Sequence, residues 1–385
     1  MKWSAIITAD IHMSNRMPYA RPTKDDRTDR LEDQMAVWDQ IHAAAERYDV
    51  DSVLILGDLF DRSKVDPVTL THTVEAIMKT KRQIFILPGN HDANSIKGGR
   101  FAVEAFREMK NDLVKVIGEK PGQSLEVEMD GKCNLAFWPL AFSPVGQTEI
   151  ELKKIRKCTD KNDFNALLIH NSIMGAHHMG WECDDGLDPR KTCAGFDMVL
   201  AGHFHQNQEL DAGKPDGIRY QYLGAPMHHD FSDVGRESIV WLYEFEDNAS
   251  GGLDVTAAKI PIQAPEFFTM EPENVVPKMK PGDFIRVIVK ATHAEWAKRR
   301  HAVETMVDSL KGDGIRASYM HKPVYHHGSR IKEAKSGRSE TFSMENAISE
   351  YISTEGVSTA GLDKSQLKTL GMEALATARA EHGTA

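Results

Sequence analysis

Apolar and polar positions along the first two-thirds of the chain fall into blocks whose period changes repeatedly. Trp3–Ala9 is a short apolar run that stops at Asp10-Ile11-His12, as a buried strand does at its carboxyl end. Between Arg30 and Tyr48 apolar residues recur at Leu31, Met35, Val37/Trp38, Ile41 and Ala45, the spacing of one helix face. A second strand-like run, Asp51–Leu56, closes on Gly57-Asp58. The helix predicted next, over about Pro67–Lys79, opens with Asp66 as N-cap and Pro67 in the first turn, where a missing N–H is harmless. Gln83–Leu87 is a third strand, ended by Pro88-Gly89. Strands and helices alternating over short connections predict a layered α/β fold.

From Leu125 to Leu210 the pattern shifts to short strands, clearest at Asn134–Pro139, Ala166–His170 and Met198–Ala201. Tyr220–Leu223 and Ser238–Phe245 read as further strands, with a Gly-Ala-Pro turn between them. Five of the 16 prolines (Pro261, Pro265, Pro272, Pro277 and Pro281) then crowd together, which predicts a linker over 261–282. Phe284–Lys290, Glu295–Leu310 and Ile315–Met320 follow as strand, helix and strand, a small module over 283–338. Residues 339–385 carry two amphipathic helical patterns, separated by Glu355-Gly356 and Gly361. The first has apolar positions at Phe342, Met344, Ile348, Tyr351 and Ile352, the second at Leu362, Leu367, Leu370, Met372 and Leu375. The expected division is therefore a main domain over 1–260, the linker, the module and the terminal helices.

A hydrophobic fraction of 41% with 27% charged residues excludes a disordered or fibrous chain of 385 residues. Nothing approaches the roughly 18 apolar residues of a membrane span. Met1-Lys2-Trp3-Ser4 runs straight into the first strand without a cleavage-site pattern, so the expected compartment is the cytosol. Four cysteines (Cys133, Cys158, Cys183, Cys193), none in a C-x-x-C pair, read as reduced thiols. A zinc clip between Cys183 and Cys193, in a predicted loop, is the alternative. The net charge is −10, yet residues 286–338 hold 12 basic and 5 acidic side chains, whereas 339–385 hold three and seven. A basic module on an acidic chain suits a phosphate-rich partner, and equally a solvated lysine-rich surface.

Chemistry gathers at the strand ends. Asp10-x-His12, Gly57-Asp58-x-x-Asp61, Gly89-Asn90-His91-Asp92, His170 and Gly202-His203-x-His205 follow successive apolar runs. They offer two aspartates, one asparagine and four histidines as ligands. Mixed oxygen and nitrogen donors suit Mn²⁺, Fe²⁺ or Zn²⁺ better than Mg²⁺ or Ca²⁺. Seven donors are too many for one ion and enough for two, if one carboxylate bridges. Each cluster alone reads as a turn or a cap; five in this order do not. The glycines before Asp58, Asn90 and His203 are expected to let the backbone turn sharply as strand becomes loop.

These five motifs resemble those of calcineurin-like metallophosphoesterases over about residues 1–245. Gly57-Asp58-Leu59-Phe60-Asp61-Arg62, and Tyr222-Leu223-Gly224-Ala225-Pro226 followed by Asp230-Phe231, are similar to the SbcD/Mre-type DNA repair nucleases. The resemblance implies a four-layer αββα sandwich with a small α/β capping domain and C-terminal helices. It implies that Asp10, His12 and His205 hold a first metal, Asp58 bridges, and Asn90, His170 and His203 complete a second. His91 is then not a ligand but contacts the phosphate and assists the leaving oxygen, and Asp61 orients His91 or a ligand. Many superfamily members have Gly-His at the fourth motif; here it is Ile169-His170-Asn171, with the ligand kept.

The family's metal is Mn²⁺ and its substrate DNA, cut as a double-strand exonuclease and single-strand endonuclease. Its C-terminal helices grip an SMC-like ATPase subunit of the SbcC type, and a homodimer is compatible with the resemblance. Packing of the terminal helices onto the cap is the plainer alternative. Two further functions share the motifs: a phosphoesterase for small molecules or proteins, and a DNA-end-binding scaffold with weak catalysis. Of the remaining histidines, His177-His178 read as loop residues facing solvent. His228-His229 sit beside the cleft, either lining it or packing next to it, and His326-His327 read as an exposed pair in the basic module.

Overall fold

The computed structural model describes residues 2–94, 100–129, 133–159, 162–178, 180–211, 219–248, 252–324 and 363–382. The first half of the chain gives β1 (Lys2–Thr8), α1 (Asp29–Arg47), β2 (Ser52–Leu56), α2 (Pro67–Met78), β3 (Gln83–Leu87), α3 (Glu104–Glu108) and β4 (Val114–Val116). Helix α1 is capped by Thr28, which accepts from Leu31 N. Helix α2 is capped by Asp66, which accepts from Thr69 N, with Pro67 in the first turn as expected. The next stretch gives β5 (Leu125–Met129), β6 (Cys133–Leu140), α4 (Val145–Ile155), β7 (Phe164–His170), β8 (His177–His178), β9 (Trp181–Glu182), α5 (Pro189–Cys193), β10 (Met198–Gly202), β11 (Gln208–Asp211) and β12 (Arg219–Tyr222). After them come β13 (Ile239–Asp247), β14 (Leu253–Pro261), β15 (Phe267–Met270), β16 (Phe284–Ala291), α6 (His293–Gly312), β17 (Arg316–Pro323) and α7 (Lys364–His382).

Among the described residues these strands form two six-stranded sheets, β14-β13-β1-β2-β3-β4 and β11-β12-β10-β7-β6-β5. The period-2 alternation of each strand divides its side chains between two cores. In the first sheet Ile6, Val53, Ile55, Ile84 and Ile86 face helices α1 and α2, meeting Leu31, Trp38, Ile41 and Ile77. Their neighbours Ala5, Ile7, Leu54, Leu56 and Leu87 face the second sheet, meeting Leu135, Phe137, Leu168 and Leu200. The outer face of the second sheet packs Trp138, Leu167, Ile169 and Val199 against Leu152 and Ile155 of α4 and Cys193 of α5. Helix, sheet, sheet and helix are thus the four layers of the expected sandwich. The central strands are buried on both faces, which explains why they read as unbroken apolar runs.

Four details differ from the sequence reading. Hairpin partner β14 pairs antiparallel with β13 along its whole length, but as an edge strand it alternates half-buried and exposed residues and gives no apolar run. The proline-rich stretch is not only a linker: Phe267–Met270 lies between Pro265 and Pro272 and pairs parallel with β16. The small module is therefore a three-stranded sheet, β15-β16-β17, with α6 across it around Ile285, Val287, Val289, Val303, Val307 and Leu310. Cys193 closes a helix rather than lying in a loop, and His177-His178 form a two-stranded ribbon with Trp181-Glu182.

Residues 1–324 form one compact unit and 325–385 a second. Within the first, Arg30 near the start of α1 joins the small module to the sandwich. Its guanidinium is fully buried, lies over the Phe267 and Phe284 rings at 5.3 and 5.1 Å, and donates to the carbonyls of His228 and His229 at 2.7 and 3.3 Å. Arg316 of β17 pairs with Asp29 and Asp33 of α1. In the second unit α7 is described. The first of the two predicted terminal helices, His326-His327 and the distal part of the basic module lie outside the described residues. Among the described residues no helix is long and apolar enough to cross a membrane.

Candidate metal centre

All seven expected donors meet at one end of the two sheets, where parallel strands β1, β2, β3, β7 and β10 stop together. The backbone there is unusual. Asp10, His12, Asp58 and His203 all have positive φ, between 50° and 104°, a region that non-glycine residues seldom adopt. Main-chain bonds hold them in it: Asp10 N donates to Gly57 O and His12 N to Asp58 O. The same network turns each side chain inward from the strand end.

The glycines do more than the turning expected of them. Of the three, Gly57 has positive φ, at 94°, and a Cβ there would overlap His170 Nδ1. At Gly89 a Cβ would overlap the Asp58 side chain with no positive φ involved. Close approach of the loops, more than turning, requires the missing side chains.

Two donor groups share Asp58. In one, Asn90 Oδ1 lies 3.0 Å from His170 Nε2 and 2.9 Å from His203 Nδ1, and Asp58 Oδ2 is 3.2 Å from His170 Nε2. In the other, His12 Nε2 is 3.2 Å from His205 Nε2, 3.7 Å from Asp58 Oδ2 and 4.0 Å from Asp10 Oδ1. The outer nitrogens of two rings are already committed. His170 Nδ1 donates to Leu56 O at 2.8 Å, and His205 Nδ1 donates to Asp233 at 3.2 Å. Their inward nitrogens therefore carry lone pairs when the rings are neutral, and face an amide oxygen and another imidazole. A bound cation would take the place of the protons that otherwise sit between these acceptors. The donor set fits divalent ions, and ligand atoms of Asp10, Asp58 and His170 lie within 4.8 Å of one another, as do those of His12, Asp58 and His91.

Burial and charge set the proton affinities. Burial holds His203 down to about 3 and pushes Asp10 up. Burial also lowers His170, but the Asp58 carboxylate outweighs it and brings that imidazole up to about 9. Asp58 in turn is lowered, its burial outweighed by His170 and His12. Asp92, fully buried, is pushed up to about 7 by burial and by Asp58, against main-chain donors Phe60 N and Gly89 N.

His91 stands on the exposed side of the cluster. Its main-chain N donates to Asp58 Oδ1 at 2.8 Å and its Nδ1 donates to the Asp61 carbonyl at 2.7 Å. Asp61 thus meets His91 through its main-chain carbonyl; its carboxylate faces Arg62 at 2.8 Å and His12 Nδ1 at 3.9 Å. Two residues outside the expected set join the site. Asp233 accepts from His205 Nδ1 and His229 N and pairs with Arg236. His229 is buried against His12 and His205, and the ligand nitrogens of these three lie within 4.8 Å of one another. Its neighbour His228 points away, accepting from Phe267 N at 3.1 Å. A pair of adjacent histidines before an Asp-Phe turn signals proximity, but nothing local says which ring turns inward. Cys183 and Cys193 belong to none of the ligand groups found among the described residues.

Residues 4–207 match the family described as calcineurin-like phosphoesterase. The chain belongs to that family. Its members are metal-dependent phosphoester hydrolases, and this phosphoesterase has the ligand-type residues that such chemistry needs. Among curated relatives, DNA double-strand break repair protein Mre11 of Saccharolobus solfataricus is 24% identical over 255 residues, 64% of this chain and 61% of that protein. The SbcD component of the nuclease SbcCD from Staphylococcus epidermidis is 23% identical over 245 residues, 57% and 62% of the two chains. An uncharacterized metallophosphoesterase, YhaO of Bacillus subtilis, is 23% identical over 271 residues, 66% and 63%. The phosphoesterase thus spans about three-fifths of the length of the curated relatives it matches. The solved structure of calcineurin-like phosphoesterase YfkN from Bacillus subtilis aligns with a TM-score of 0.40 and 13% identity, over 80% of this chain and 99% of that one.

Proposed function

We propose that this phosphoesterase is a two-metal nuclease subunit that cuts DNA, as a double-strand exonuclease and single-strand endonuclease. The observation that carries the reading is the pair of donor groups sharing Asp58, with His91 on their exposed side. Asp10, His12 and His205 would hold one ion, Asn90, His170 and His203 the other, and Asp58 would be shared by both; Mn²⁺ is the proposed ion. When bound, such ions neutralise phosphate charge and lower the pKa of water.

The chain's own residues do the rest. His170 and His205 donate their outer nitrogens to Leu56 and Asp233, which turns the Nε2 of each ring towards the ion it would hold. His91, its Nδ1 anchored on the Asp61 carbonyl, contacts the phosphate through Nε2 and hands a proton from that atom to the departing sugar oxygen. The names of the relatives, a DNA repair protein and a nuclease component, support DNA as substrate, as does the basic run over 286–338.

The remaining assignments belong to the same proposal. Residues 1–260 carry the chemistry and 283–338 cap it. The terminal helices bind an ATPase subunit of the SbcC type, with Leu370 of α7 half exposed for that contact. The compartment is the cytosol.

The test is cleavage of linear duplex and single-stranded DNA with Mn²⁺ by wild type, His91→Ala and Asp58→Ala. Wild type should cut both. His91→Ala should lose about 10²–10⁴-fold, the worth of a general acid, and Asp58→Ala should be inactive. Hydrolysis of bis-p-nitrophenyl phosphate with DNA left intact, even beside a candidate ATPase, would move the assignment to small phosphodiesters.

A further inference from the structure

The hydrogen bonding around the histidine cluster leaves two buried nitrogens without a partner among the described residues: His12 Nδ1, which faces the Asp61 carboxylate at 3.9 Å, and His229 Nδ1, which faces no carboxylate that close. His229 Nε2 lies 2.9 Å from the Asp10 carbonyl oxygen, which can only accept, so that nitrogen carries the proton and Nδ1 the lone pair. Nδ1 is buried and has no hydrogen-bond partner among the described residues. The ring is only 6% exposed and meets the rings of His12 and His205 edge-on, at centroid distances of 4.9 Å each. Its main chain is fixed on both sides, by His229 N donating to Asp233 at 2.7 Å and by Arg30 reaching its carbonyl at 3.3 Å. An imidazole kept only to support Asp10 needs Nε2–H alone and gains nothing from a second buried nitrogen with no protein donor aimed at it among the described residues.

We propose that His229 is a third imidazole ligand of the ion that His12 and His205 hold. The inference rests on the two-metal reading and adds to it. It makes the two sites unequal: three imidazoles with Asp10 and Asp58 on one side, two imidazoles with Asn90 and Asp58 on the other. The nitrogen-rich site favours borderline ions such as Zn²⁺ or Co²⁺ over Mn²⁺ more strongly than its neighbour does.

Co²⁺ binding to the full chain tests this, by equilibrium dialysis and by the visible spectrum of the bound ion, with wild type, His229→Gln and His229→Asn. Glutamine places an amide nitrogen where Nε2 was and so keeps the donor to the Asp10 carbonyl, but offers nothing at Nδ1. Asparagine places an amide oxygen near Nδ1. Wild type should bind two ions. His229→Gln should lose at least about tenfold in affinity for one of them, since even residues behind a ligand are worth that much, with the other unchanged. His229→Asn should recover part of the loss with a shifted spectrum, as oxygen replaces nitrogen. Melting of the metal-free proteins shows whether the glutamine variant folds. If it does not, the asparagine spectrum decides, and a spectrum identical to wild type overturns the proposal. Two unaltered affinities in a folded glutamine variant overturn it too. Failure of wild type to bind two ions removes the two-metal reading with it. DNA cleavage does not enter the readout, so loss of the nuclease assignment alone would leave this inference standing.

Discussion

Replacing Arg30 by methionine separates what its guanidinium holds from the space it fills. Methionine has comparable length and packs on Phe267 and Phe284, so most of the apolar packing is kept. The variant also regains the cost of burying a charge, a cost shown by the lowered proton affinity of Arg30, which burial causes. Asp33, which Arg30 meets at 3.3 Å, is not stranded, because Arg316 still reaches it at 3.1 Å. What remains is the pair of carbonyls of His228 and His229, buried in the variant with their charged donor gone. An unsatisfied buried acceptor costs about 1–3 kcal/mol. Removal of one partner of a buried, hydrogen-bonded charge costs about 3–5 kcal/mol, and the surviving Asp33–Arg316 pair argues for the lower end.

We expect about 3 kcal/mol of destabilisation, read as a lower urea midpoint at unchanged slope in the presence of a chelator, so that metal binding does not contribute. Arg30→Lys, which keeps a charged donor, should lose less than the methionine variant. A loss below about 1 kcal/mol in Arg30→Met would refute the reasoning. It would mean that the two carbonyls find other donors and that the small module is held by apolar packing alone.

Two further outcomes follow from the site and its surroundings. Gly57→Ala adds a Cβ onto His170 Nδ1 at a φ of 94°, so the ring must leave the Leu56 carbonyl. The variant should bind one divalent ion fewer than wild type by equilibrium dialysis and melt lower; two ions at full affinity would show that the loop yields instead. Reversing exposed charges in the small module with Lys298→Glu and Lys322→Glu should weaken duplex binding uniformly across sequences. The slope of log affinity against log salt should fall by about one for each lysine–phosphate pairing removed. Hydrolysis of bis-p-nitrophenyl phosphate should be unchanged, and an unaltered salt slope would place DNA elsewhere on the protein.

Much of the fold is legible in the sequence because strands buried on both faces write themselves as apolar runs. A run such as Asp51–Leu56 ending in Gly-Asp needs no partner to be seen. Elements with one wet face are harder. Strand β14 alternates along an exposed edge, and β15 is four residues between prolines, so neither gives a run long enough to stand apart from a linker. Asp233 is hidden for a related reason: an acidic residue in a turn looks like any solvated one, and only its burial against Arg236 and His205 gives it a role.

The sequence by itself determined which residue types stop at which strand ends, and hence a phosphoesterase motif set with two aspartates, an asparagine and four histidines. That information is local, carried by period and by the residue after each run. Tertiary structure decided the rest, because it depends on separations no local pattern encodes. His12 meets His205 across 193 positions, and His229 meets the Asp10 carbonyl across 219. Which nitrogen of each ring faces inward is fixed by partners on other strands and turns, Leu56 for His170 and Asp233 for His205. Sheet order sets those meetings, and sheet order is a property of the packed cores rather than of any single segment.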